Sequence, residues 1–164
     1  SKEFKTGRMF VPEVMRSARA MLNAMAVIKP QMVKDGVQMV GKVLLGTVRG
    51  DMHDIGKNLV GMMCEGAGFE IRDLGSDVAP EAFVAAVNTY APDVVGMSAL
   101  LTTTMRTMAD TIKALEEAGV RDQVKIMIGG APVTQAFADR IGADGYAADA
   151  AAAADKAREL IAAG

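Results

Sequence analysis

The chain has 164 residues, with 18 Lys and Arg against 20 Asp and Glu for a formal net charge of −2, and 51% hydrophobic residues against only 4% aromatic. That length suits one domain with an aliphatic, Met-rich core, and the near-neutral charge argues against nucleic acid as a partner. Disorder is excluded too, because half the chain is apolar at low net charge and can bury enough surface to offset chain entropy.

One Cys and one His narrow the chemistry further. No disulfide can form within the chain, a structural zinc site lacks ligands, and a reducing compartment is expected, which reads as cytoplasmic. Cys64 sits in an apolar, helix-like stretch and reads as an inert buried thiol. No apolar run approaches the roughly 20 residues that span a bilayer, so no membrane association is expected. The opening SKEFKTGRMF carries no apolar signal-peptide segment.

In chain order, Pro12 to about Lys29 reads as one helix. Pro12 suits its first turn and Lys29–Pro30 its end, and Val14, Ala18, Met21, Met25 and Ile28 form one apolar face. Residues 31–41 read as a connector, which divides the chain into a helical part at 1–38 and a second part at 39–164. There, β-branched runs alternate with helices. The strand candidates are 42–48, 69–75, 93–99, 124–130 and 145–147. Helices are expected from near Gly56, over 80–90, after a Thr-rich turn up to Ala118–Gly119, over 134–141, and through the Ala-rich 148–163. Five strands interleaved with five helices imply an α/β fold, a flavodoxin- or Rossmann-like doubly wound parallel sheet. Right-handed crossovers favour the order 2-1-3-4-5.

In such a sheet, ligands bind beyond the carboxyl ends of the strands, near the switch between the first and third. The loop after the first strand reads Arg49-Gly50-Asp51-Met52-His53-Asp54-Ile55-Gly56 and places the chain's single His there. Asp51 can reach one imidazole nitrogen, fixing the tautomer and leaving the other nitrogen as a metal-capable donor. Gly56 would admit a bulky ligand. A lone loop His is as readily a solvated one. The loop after the third strand, Ser98 to Thr104, carries four hydroxyls, which read as helix caps at Thr102 or Thr103 or as pocket lining. Gly129-Gly130 after the fourth strand is either a tight turn or a lip into which a phosphate or ring slides.

Gly50-Asp51-x-His53-x-x-Gly56, then Ser98-x-Leu100 with Thr102 and Thr104, then Gly129-Gly130, resembles the cobalamin-binding signature. More closely, RGDMHDIGKNLV (49–60) and MFVPEV (9–14) are similar to the corrinoid proteins of methyltransferase systems and to the cobalamin module of methionine synthase. The resemblance implies cobalamin bound base-off and His-on, with His53 as the lower cobalt ligand and Asp51 and Thr104 completing a relay. Thr104 stands where the family often has Ser, adding a methyl group. Gly50, Met52, Asp54, Gly56 and Leu100 fall at cofactor-binding positions, and Ser98, Thr102, Gly129, Gly130 and Ala150 where the nucleotide tail is lined. Phe10 and Val14 would cover the reactive upper face from a helical cap, or they are ordinary helix-packing residues. The family's cap begins upstream of residue 1, so the chain is expected to be a fragment.

The implied function is a methyl carrier, loaded as methylcobalamin. It would take the methyl group from a donor-specific methyltransferase and pass it to an acceptor methyltransferase that uses tetrahydrofolate or a thiol such as coenzyme M, with a reductive activase as third partner. A cobalamin sensor or a mutase-type cobalamin domain are the alternatives within the resemblance.

Overall fold

A computed structural model describes residues 39–164. The helix expected over 12–29, the connector up to residue 38, and Phe10 and Val14 lie outside the described residues.

Five strands, β1 (Lys42–Thr47), β2 (Glu70–Asp73), β3 (Val94–Ser98), β4 (Lys125–Gly129) and β5 (Gly145–Ala147), alternate with α1 (Ile55–Gly66), α2 (Pro80–Tyr90), α3 (Thr102–Glu117), α4 (Gln135–Ile141) and α5 (Ala150–Ala163). All strand pairs are parallel and the sheet order is β2-β1-β3-β4-β5, the order the crossover rule favoured. The switch falls between β1 and β3, paired from Val43↔Val94 to Thr47↔Ser98. Both strands therefore deliver their following loops to one point.

Alternation along the strands fills a core on each face. Leu44, Val95, Ile126 and Ile128 pack with Phe83, Val87, Met108 and Leu115 from α2 and α3. Val43, Leu45, Val94 and Met127 pack with Cys64, Ala153, Ala157 and Leu160 from α1 and α5. Each fully buried aliphatic side chain of this kind stabilises the fold by about 1.5–3 kcal/mol. Cys64 is buried and burial pushes its thiol up to about 11, which keeps it an unreactive thiol as the sequence suggested.

Local chemistry sets the ends of the helices. Pro80 opens α2 and Ala91, in the left-handed conformation at φ 53°, closes it. Thr134 accepts the Phe137 N–H at 3.1 Å at the start of α4, and Asp149 accepts the Ala152 N–H at 2.8 Å at the start of α5. Two details depart from the sequence reading. Residues Thr102–Thr104 are the first turn of α3, not a turn before it, and a short 3₁₀ turn at Arg121–Gln123 precedes β4.

Candidate functional site

The loop from Val48 to Asp54 leaves β1 at the carboxyl edge of the sheet and places Asp51 beneath His53. Asp51 is fully buried, an uncommon position for a carboxylate, and its two oxygens are fully employed. Oδ1 accepts the main-chain N–H of His53 at 3.0 Å and lies 2.7 Å from the ring Nδ1. Oδ2 accepts the Leu100 N–H at 2.7 Å, the Leu101 N–H at 3.3 Å and the Thr104 hydroxyl at 2.7 Å.

This pattern explains why α3 starts at Thr102 with Leu101, which has no capping side chain, at its N-cap position. Asp51 caps α3 from another loop, with the positive end of the helix dipole against its charge. Thr102 and Thr103 lie inside the first turn of α3, past its N-cap position, so neither of the hydroxyls offered by the sequence as a cap is the cap. Burial alone would raise the Asp51 pKa; hydrogen bonds from Leu100, Thr104 and His53 outweigh it and hold the carboxyl well below the usual range. An ionised Asp51 accepts from Nδ1–H, which leaves Nε2 of His53 as the basic nitrogen. The His53 side chain is half exposed, and among the described residues Nε2 has no hydrogen-bond partner.

Four large apolar side chains in or beside the site loops are exposed, Met52 to 67%, Ile55 to 46%, and Leu100 and Leu101 to 42% each. Exposed apolar side chains gathered at one edge of a sheet mark a surface suited to covering by a ligand. Gly56, at the start of α1, has nothing within 4 Å of where a Cβ would stand. Asp54 is the N-cap position of α1 yet makes no side-chain cap.

The remaining expected positions lie on the same edge. Ser98 ends β3 and its carbonyl accepts the Val48 N–H at 3.0 Å, joining the first two site loops. Gly50 takes φ +86°, and the Thr104 methyl lies 3.4 Å from where its Cβ would be, so the extra methyl of Thr104 is packed against a glycine. Gly129 ends β4 and Gly130 follows it, and Ala150 is the first residue of α5. At Gly130, φ is +131° and a Cβ would stand 1.8 Å from the Ala99 carbonyl oxygen, so this glycine is required by the protein's own backbone whatever else approaches it.

Two side chains outside the expected set hold the His loop. Asp77, at φ 52°, donates its N–H to the Asp51 carbonyl at 2.9 Å and accepts the Gly50 N–H on Oδ1 at 2.8 Å. Thr47, fully buried at the end of β1, donates its hydroxyl to the His53 carbonyl at 3.1 Å. Asp77 lies 26 residues downstream of Asp51 and carries no sequence signal of its role. A Thr closing an otherwise aliphatic strand was the one available hint at Thr47.

A model described as B12 binding domain matches residues 41–155, and a second of the same description matches residues 1–29. The dimethylamine corrinoid protein 3 of Methanosarcina mazei is 46% identical over 160 residues, covering 97% of this chain and 96% of that protein. The structure of a cobalamin-binding protein from Desulfitobacterium hafniense matches with a TM-score of 0.81 at 34% identity, over 97% of this chain and 75% of that one. The methanol:cobalamin methyltransferase complex MtaBC from Methanosarcina barkeri matches with a TM-score of 0.77 at 34% identity, over 99% of this chain and 62% of that one.

Proposed function

This chain belongs to the cobalamin-binding corrinoid proteins of methyltransferase systems, and from that premise we propose that it carries a methyl group between two methyltransferases, using His53 as its lower cobalt ligand. The observation that carries the reading is the buried Asp51, bonded at 2.7 Å to His53 Nδ1 on one oxygen and at 2.7 Å to the Thr104 hydroxyl on the other.

The residues fit the cofactor. His53 offers Nε2 with no competing partner among the described residues, and Met52, Ile55, Leu100 and Leu101 offer exposed apolar surface in or beside the site loops. Gly50, Asp54 and Gly56 would shape the loop that holds the cofactor. Ser98, Thr102, Gly129, Gly130 and Ala150 would line the slot for the nucleotide tail, and Phe10 and Val14 would shield the opposite face. When bound, cobalamin supplies a cobalt centre that accepts a methyl group and gives it up.

The chain's own residues supply the rest. Asp51 keeps His53 in the Nδ1–H tautomer, so Nε2 is the atom that would ligate. Thr104 and the N-terminus of α3 prevent Asp51 from following its partner.

The methyl donor is proposed to be of the methylamine class, which the naming of the Methanosarcina relative as a dimethylamine corrinoid protein supports. The partners are a donor-specific methyltransferase, an acceptor methyltransferase using tetrahydrofolate or a thiol such as coenzyme M, and a reductive activase. The lone buried thiol favours a cytoplasmic setting, and no helix among the described residues is long and apolar enough to cross a membrane.

The test is methyl loading. Reduced holoprotein is mixed with isotope-labelled dimethylamine, monomethylamine or methanol and the matching methyltransferase, then separated by gel filtration. Label should travel with the chain in the methylamine reactions and leave when a thiol-using methyltransferase is added. Holoprotein that takes no label from any donor would remove the carrier reading.

A further inference from the structure

We propose that Thr47 is a positioning residue for His53, which it holds through the main chain. The inference rests on the proposed role of His53 as a ligand and extends it to a residue outside the signature loop.

His53 is fixed at three atoms. Asp51 Oδ1 takes two of them, the main-chain N–H at 3.0 Å and the ring Nδ1 at 2.7 Å. Both are contacts to one oxygen, so the residue could still pivot about that oxygen. The third contact removes this freedom: the Thr47 hydroxyl donates to the His53 carbonyl at 3.1 Å. That carbonyl lies outside α1, whose first bond runs from the Asn58 N–H to the Asp54 carbonyl at 2.8 Å. The Thr47 bond therefore sets the plane of the peptide between His53 and Asp54, and with it the direction in which α1 leaves the ring.

Thr47 is suited to act as a fixed post. Its side chain is fully buried. Its own main chain is tied on the β2 side, where its N–H donates to the Gly75 carbonyl at 2.9 Å and its carbonyl accepts the Val78 N–H at 2.9 Å. On the other side it pairs with Ser98 in the parallel ladder. As a β-branched residue in a strand it has few χ1 choices, so its hydroxyl has a defined direction. A hydroxyl in a buried apolar strand end is costly unless it is used, and here it is used on the ligand-bearing residue.

The experiment compares Thr47→Val, which keeps the shape and loses the hydroxyl, with Thr47→Ser, which keeps the hydroxyl. Thr47→Ala is made alongside to cover any overpacking in the Val protein, and circular dichroism confirms the fold of each. Two readouts are taken. In holoprotein, the ratio of His-on to His-off cobalamin is read from imidazole nitrogen coupling in the cobalt(II) EPR spectrum. In apoprotein, the two nitrogen-15 shifts of the chain's single imidazole report its tautomer at one fixed pH.

Thr47→Val and Thr47→Ala should lower the His-on to His-off ratio by about fivefold, the scale of one buried hydrogen bond. They should also mix the tautomers, while Thr47→Ser restores both readouts. Wild-type values in a folded Val or Ala protein, or a Ser protein that behaves like Val, would overturn the role of Thr47. Wild-type holoprotein without any imidazole coupling would instead overturn the ligand role of His53, and the apoprotein shifts would still decide whether Thr47 orients the ring.

Discussion

Replacing Thr104 by Val is the sharpest probe of how the site is held. The change is nearly isosteric and keeps the methyl that packs on Gly50, so the lost element is one hydroxyl donor, 2.7 Å from Asp51 Oδ2. That oxygen keeps the Leu100 N–H at 2.7 Å and the Leu101 N–H at 3.3 Å, so the carboxylate is weakened and not stranded. A hydrogen bond to a buried charge contributes about 1.5–3 kcal/mol, so a loss of about 2 kcal/mol is expected at neutral pH. At about 2–4 °C per kcal/mol, the apoprotein should melt about 4–8 °C lower. The pH dependence adds a second constraint. Asp51 has its folded pKa depressed below the ordinary 3.8, so its stabilisation is complete above about pH 4 and is lost as the pH falls further. Val at 104 moves the folded pKa back toward the ordinary value, so the variant has less to lose in acid. Urea unfolding of both apoproteins between pH 7 and pH 3 should show the stability gap narrowing below about pH 4. An unchanged midpoint at neutral pH, or a gap that widens in acid, would refute the reasoning.

Three further outcomes follow from the geometry. Asp51→Asn should bind cobalamin within about tenfold of wild type, or ~1.4 kcal/mol, but shift the cobalt(II)/cobalt(I) midpoint and flatten its pH dependence in spectroelectrochemical titration. Gly56→Ala meets open space and should leave the apoprotein as stable or up to ~1 kcal/mol more so in urea, whereas Gly130→Ala places a Cβ 1.8 Å from the Ala99 carbonyl and should unfold at markedly lower urea. Lys57 is buried and paired with Asp73, with Asn58 Oδ1 at 2.8 Å. Asp73→Ala, which leaves that ammonium only Asn58, should therefore cost about 1–2 kcal/mol in the same assay, and Lys57→Met less.

Much of this molecule was legible in one dimension, for identifiable reasons. Buried parallel strands read as continuous β-branched runs, and KVLLGTV, DVVGMSA and VKIMIGG were placed to within a residue or two of β1, β3 and β4. The handedness of crossovers then left the observed sheet order as the simplest one. The contact between Asp51 and His53 was legible because it is local, two residues apart. Thr102–Thr104 misled because Thr is a middling helix former and a hydroxyl run suggests capping; the cap of α3 is instead Asp51, 50 residues upstream of Leu101. Separation in sequence also hid Asp77, 27 residues from Gly50, whose clamp on it exists only once β2 lies beside β1. Gly129-Gly130 read as a tight turn or a lip for a ligand, and a demand that no sequence pattern shows is the Ala99 carbonyl, which a Cβ at 130 would meet.

The most direct test of the central claim is the EPR spectrum of the cobalt(II) holoprotein, wild type against His53→Ala. His53 is the chain's single histidine, so imidazole coupling in the spectrum has one possible source within it. Wild-type protein should show nitrogen coupling from a protein imidazole, made unambiguous by nitrogen-15 labelling of the protein. The variant should still take up cobalamin and lose that coupling. Unchanged coupling in the variant, or none in the wild type, would contradict the assignment of His53 as the lower ligand.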